Sequence, residues 1–133
     1  MIAYCTYCSG RKDRAPELLP AIARYQSRRI LDVAERAVRD GASFIILSGE
    51  FGLLHREDLI PCYDHLLQPY EVPALIGRVA GQLRRTGVRA LSYFTESLSR
   101  PDLAPYNDTI VGAARAAGVP LEIHIIRRAA TSG

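Results

Sequence analysis

The sequence predicts an α/β fold: one doubly wound, mainly parallel sheet of four strands in the order 2-1-3-4, with helices on both faces. Three observations carry this. Apolar, β-branched runs alternate with segments of helical periodicity; each helical segment ends at a glycine, Gly41, Gly87 or Gly118; and a new β-rich run follows each glycine almost at once. Strand, helix and strand in repetition imply right-handed crossovers and parallel pairing. The order follows if the first strand is central and the two crossovers nearest it wind to opposite faces.

The first strand is the run Ile2 to Cys8. The first helix spans about Pro16 to Asp40, with Ile22, Gln26, Ile30, Val33 and Ala37 on one stripe. Its outer face pairs Arg28, Asp32 and Arg36, and Glu35 with Arg39, at i,i+4 spacing, which reads as a solvated surface. The second strand lies at Ser43 to Ser48, and the second helix runs from about Tyr70 to Thr86 with Val72, Leu75, Ile76, Val79, Ala80 and Leu83 facing inward. Val88 to Thr95 forms the third strand. The third helix, short and alanine-rich, starts at a cap on Asn107 or Asp108 and runs through Ile110, Val111, Ala114 and Ala117. Leu121 to Ile126 closes the sheet, and residues 128–133 read as a frayed tail beyond a single domain of residues 1–127.

A chain of 133 residues with 48% hydrophobic side chains has enough apolar surface for one core and too little for two. No stretch approaches the roughly 20 apolar residues of a membrane span, and the apolar start is cut at Cys8-Ser9-Gly10-Arg11-Lys12, so neither a membrane partner nor a signal peptide is expected. Three cysteines without framework spacing suit reduced thiols, hence a cytoplasmic setting. The net charge of +3 is too small to demand a nucleic-acid partner. Lys12 is the only lysine among 17 basic residues, the composition of an arginine-rich genome.

In such a sheet, the loops that leave the carboxyl ends of the strands form the ligand crevice. Here these are Ser9 to Ala15, Ser48 to Pro69 and Glu96 to Tyr106. The first, with flexible Ser9-Gly10 followed by Arg11, Lys12 and Arg14, enters a helix start and suits an anion such as phosphate. It carries neither a Walker motif nor a dinucleotide fingerprint, and a merely solvated basic loop is the competing explanation. The second holds Glu50 just beyond a strand end and the pair Tyr63-Asp64, which could stack and edge-bond a planar ring. A loop carboxylate more commonly caps a turn, so Asp64 and Glu50 are catalytic candidates with that alternative open. His55 and His65 read as exposed loop histidines. Cys5 and Cys8 fall on opposite faces of a strand, and a zinc set with Cys62 and His65 lacks paired-ligand spacing, so no metal and no cofactor are expected.

The set Cys8-Ser9-x-Arg11-Lys12, then Tyr25 and Arg28, then Leu47-Ser48 with Gly52-Leu53-Leu54, then Tyr63-Asp64 resembles a bacterial domain family of unsettled activity. More distantly, the opening is similar to YaaA-like proteins and to the accessory domain of archaeosine-type tRNA-guanine transglycosylases. The resemblance covers about the first half of the chain. The family has Pro-Tyr-Asp where this chain has Cys62 before Tyr63, its proline standing one residue earlier at Pro61. It implies a sheet like that of uracil-DNA glycosylases and a nucleoside, nucleotide or nucleic-acid partner.

Three functions follow as expectations. The first is a hydrolase or transferase at a nucleobase or N-glycosidic bond, with Ser9, Gly10, Arg11, Lys12, Arg28 and Ser48 binding ligand, Tyr63 stacking, and Asp64 or Glu50 orienting water. The second is a non-catalytic nucleotide or nucleic-acid module built from the same arginines. The third is an enzyme for an unrelated small molecule.

Overall fold

The protein is described by a computed structural model covering residues 1–127. The chain runs through β1 (Ile2–Tyr7), β2 (Leu19–Pro20), α1 (Ala21–Arg24), α2 (Arg28–Asp40), β3 (Ser43–Ser48), β4 (Gly52–His55), β5 (Leu59–Ile60), α3 (Val72–Thr86), β6 (Ala90–Thr95), α4 (Ala104–Ala117) and β7 (Leu121–Ile125). A 3-10 turn at Pro69–Glu71 leads into α3. The expected tail at 128–133 lies outside the described residues. Among those described, no helix is long and apolar enough to cross a membrane.

The main sheet has five strands in the order β4-β3-β1-β6-β7. β1 pairs parallel with β3 and β6, and β6 parallel with β7. The four expected strands thus stand in the order 2-1-3-4, but the sheet is mixed rather than four-stranded. The correction is β4, which turns back antiparallel on β3 with Ser48 opposite Gly52. Gly52 makes the turn possible, because it takes φ +75° and a Cβ there would meet Gln82 Oε1 at 2.4 Å. The sequence hid this strand, since Gly52-Leu53-Leu54-His55 is short and sits inside a polar segment. β4 is an edge, and α3 covers it: the Gln82 amide accepts from Leu53 N–H at 2.7 Å and donates to Leu53 C=O at 3.3 Å.

The expected first helix is broken. Residues 13–20 are irregular apart from β2, which pairs antiparallel with β5. One turn of α1 follows, and Tyr25 is extended and bridges Lys12. A new helix then begins at Arg28, where the Ser27 hydroxyl accepts from Ile30 N–H. The cause of the break is Arg24. Its fully buried guanidinium donates to the carbonyls of Asp13, Ala15, Glu17 and Ile60, fixing a loop that a continuous helix would abolish.

The last helix also starts early, at Ala104 with Pro105 in its first turn, not at Asn107 or Asp108. Asn107 is buried inside it and donates to the Ser97 carbonyl at 2.9 Å, so its amide ties the helix to the loop before it. α3 and α4 pack on each other closely: a Cβ on Gly112 would stand 2.5 Å from Ile76 Cδ1. α2 packs on β1 and β3. The right-handed crossover rule then sets α2 on one face and α3 with α4 on the other. The point where the winding reverses lies between β1 and β6.

Candidate functional site

A cleft of about 950 Å³ opens at the carboxyl ends of the strands. It lies where an open α/β sheet reverses its winding, with Tyr7 and Cys8 following from β1 and Glu96 from β6. The register Thr6 to Phe94 brings Cys8 level with Glu96.

Lys12 is the floor's principal charge. It is only 7% exposed, its Nζ stands 4.5 Å from the Tyr63 ring centroid and 5.9 Å from that of Tyr25, and among the described residues it forms no ion pair. Its bridge to extended Tyr25 fixes the backbone, so the side chain must turn inward. The tyrosine rings attract the ammonium but do not neutralise its charge. Beneath it, Tyr63 Oη is 2.9 Å from Ser48 Oγ and 2.5 Å from Tyr25 Oη. Burial pushes both phenols above their ordinary range, which keeps them neutral donors and acceptors.

Arg29 supplies a second inward cation. Its guanidinium lies 3.5 Å from the Tyr7 ring centroid and donates to Thr6 Oγ1 and to the carbonyls of Tyr7 and Cys8. Burial lowers its pKa, and the neighbouring Tyr7, Tyr93 and Glu96 offset part of that shift. Glu96 is bonded to Tyr7 Oη at 3.1 Å and to Arg100 at 3.4 Å. Arg100 in turn grips Asp102 at 2.7 Å, which holds that carboxyl below its ordinary range.

The residues expected from sequence divide between cleft and scaffold. Ser9, Gly10, Arg11, Lys12, Arg28 and Asp64 line the cleft. The Ser9 hydroxyl is spent on Arg11 C=O at 2.7 Å. Arg28 is exposed and pairs with Asp32 at 3.4 Å, so it edges the mouth rather than the floor. Asp64 is exposed at the rim, where Arg14 holds it by two bonds, at 3.2 and 3.3 Å, and well within the ionised state. Ser48 and Tyr63 do not line the cleft. Ser48 Oγ accepts from the amides of Glu50 and Phe51, closing the turn into β4. Tyr63 packs edge-on with Phe51 and Tyr25 and has Lys12 against its ring, so it supports the floor and is no platform for a base.

Glu50 also faces elsewhere. It contacts His65 Nδ1 at 2.5 Å while Glu71 contacts Nε2 at 2.8 Å, so one imidazole clamps the β4 turn and the start of α3 to the loop between them. The two carboxylates, Glu71 foremost, raise the His65 pKa, and the imidazolium lowers that of Glu71. With both nitrogens engaged, His65 is a tether and not a free general base. The cysteines are unpaired, and among the described residues no group of three or more His, Cys, Asp or Glu could hold a metal ion.

Sequence reasoning missed Tyr7 and Arg29, which also line the cleft, and it placed the Glu96 to Tyr106 loop at the crevice without singling out Glu96, Arg100 and Asp102. A signal did exist. The order 2-1-3-4 places the third strand beside the first, so the Glu96 that ends it must stand next to Cys8. Arg29 was masked because the stripe of a single long helix singled out only its apolar and outer faces, and Arg28 entered the candidate site through the family resemblance instead.

Fold and cleft together define the class: an α/β protein with a five-stranded mixed sheet and a cleft whose floor carries Lys12 and Arg29. Comparison with known protein families, with curated proteins and with solved structures yields no match to this chain.

Proposed function

We propose that the cleft binds a nucleotide, with its phosphate on the floor at Lys12 and its sugar and base toward the rim. The observation that carries this reading is Lys12 itself. A buried ammonium without a counterion costs free energy in the empty protein, and an anionic ligand removes that cost. The amides of the Ser9 to Arg11 turn make no bond to a backbone carbonyl among the described residues and add donors beside it. The resemblance to proteins of nucleic-acid modification, and through them to the uracil-DNA-glycosylase sheet, supports a nucleotide over other anions. Three free cysteines fit a cytoplasmic setting for the same reading.

Asp64 favours a hydrolytic extension. An ionised carboxylate on the rim of a nucleotide cleft can stabilise positive charge on a sugar ring as an N-glycosidic bond breaks. Glu50, engaged with His65, is a positioning group in this reading and does not orient water. Thermal shift with a panel of nucleosides and nucleotides tests binding, and release of free base tests hydrolysis. Nucleotides that leave the melting temperature unmoved would exclude the nucleotide reading; binding without base release on wild type would leave the non-catalytic module.

A further inference from the structure

The arginines at the mouth of the cleft are spent on carboxylates. Arg28 is matched by Asp32 and Arg14 by Asp64, and both pairs are exposed. A polynucleotide needs a continuous cationic track for its backbone, and paired rim charges do not supply one. The floor differs. Lys12 is buried and Arg29 half-buried, both turned inward, with Glu96 the half-buried carboxylate of the lining, while Arg11 and the Arg100–Asp102 pair are exposed, so the inward cations are reached by the end of a ligand.

Among the described lining residues, the six cations Arg11, Lys12, Arg28, Arg29, Arg100 and Arg127 exceed the four carboxylates Asp32, Asp64, Glu96 and Asp102 by two charges. A phosphate monoester carries close to two negative charges at neutral pH, with its second proton leaving near pH 6, whereas a phosphodiester carries one. A compact dianion also offers three equivalent oxygens, enough for Lys12, Arg29 and the Ser9 to Arg11 amides at once.

Resting on the nucleotide reading above, we propose that the cleft is selective for a terminal phosphate monoester, set between Lys12 and Arg29, and rejects internal phosphodiesters. The ligand is a mononucleotide or the phosphorylated end of a strand. Binding therefore follows the ionisation of the ligand's own phosphate, and loss of either inward cation removes the preference for phosphate without removing contacts to sugar and base.

Titration calorimetry on the full chain tests this with the common nucleoside 5′-monophosphates, their 3′,5′-cyclic counterparts, the parent nucleosides, ribose 5-phosphate, and a short oligonucleotide with and without a 5′-phosphate. The monophosphates should bind about 30-fold more tightly than the cyclic diesters, the ratio of one charge-assisted contact. Their affinity should fall below about pH 6 while that of the diesters stays level. Lys12→Gln should bring the monophosphates down to the nucleosides; if that variant does not fold, Arg29→Gln and the wild-type pH profile read the same preference. Cyclic diesters or nucleosides that bind as well as monophosphates would overturn the inference and leave the nucleotide reading standing. Ribose 5-phosphate equal to the nucleotides would keep the monoester and remove the nucleotide. No binding by any phosphate-bearing probe ends both. An oligonucleotide indifferent to its 5′-phosphate counts against the proposal; one that binds only when phosphorylated assigns the strand end, and one that never binds assigns the mononucleotide.

Discussion

Two inward-pointing arginines, five residues apart, do opposite work. Arg24 is sealed: no part of it reaches solvent, and four backbone carbonyls surround its two terminal nitrogens. Arg29 also donates to carbonyls, those at the end of β1, but its remaining surface opens on the cleft. The first replaces secondary structure, supplying donors that residues 13–20 would otherwise find in a helix or sheet. The second retains unspent charge. What separates them is whether the surrounding fold closes over the guanidinium, so inward orientation alone does not tell a sealed staple from a cation that faces a cleft.

The largest expected effect is on the sealed side. Arg24→Ala should cost about 4 kcal/mol or more, since it leaves a cavity and several orphaned carbonyls, and urea titration reads it directly. Arg29→Gln should do the reverse, with a loss of about 1 to 2 kcal/mol in stability but at least a tenfold loss in nucleoside monophosphate affinity. Equal stability losses in the two variants would erase the contrast.

Gly52→Ala provides a purely steric reference against which these polar effects are judged. A left-handed φ and the close Gln82 carbonyl together predict a destabilisation of about 2 kcal/mol, with no direct change in the cleft.

A third polar cluster, at His65, lies between sealed and open. Its folded pKa is raised, so the stability it contributes is full below the ordinary histidine pKa and is lost as pH rises through the raised value. Glu71 runs the other way: its contribution is present above the ordinary carboxyl pKa and fades as pH falls through the lowered one. The melting-temperature gap between wild type and His65→Gln should therefore be widest in mildly acidic buffer and should narrow above neutrality. A gap that does not change with pH would make the clamp steric. The smallest effect is that of Asp64→Asn, whose exposed pair with Arg14 should leave the melting temperature unchanged while base release, if the hydrolytic reading holds, falls.

The fold was legible wherever period and punctuation agreed. Gly41, Gly87 and Gly118 each take a left-handed φ at a helix end, and the strands that follow them were visible for that reason. The break before α2 was hidden because Ile22, Gln26 and Ile30 continue a helical stripe across it; only the tertiary demand of Arg24 overrides that pattern. The cleft was legible in part. The Ser9 to Lys12 loop is local sequence, whereas the partnership of Tyr7, Arg29 and Glu96 depends on strand order and on a helix phase reset at Ser27. Nothing local distinguishes Lys12 from its exposed neighbour Arg11 except the bridge to Tyr25, which needs the broken helix.

The Gln82 side chain, bonded to both polar groups of Leu53, acts as a detached peptide unit that extends the sheet by one partner. The Leu53 amide proton is then held by a helix rather than by a strand. Its exchange with solvent deuterium should follow the undocking of α3 and not the fraying of the hairpin, giving a single backbone site from which the opening of one whole face of the protein can be timed.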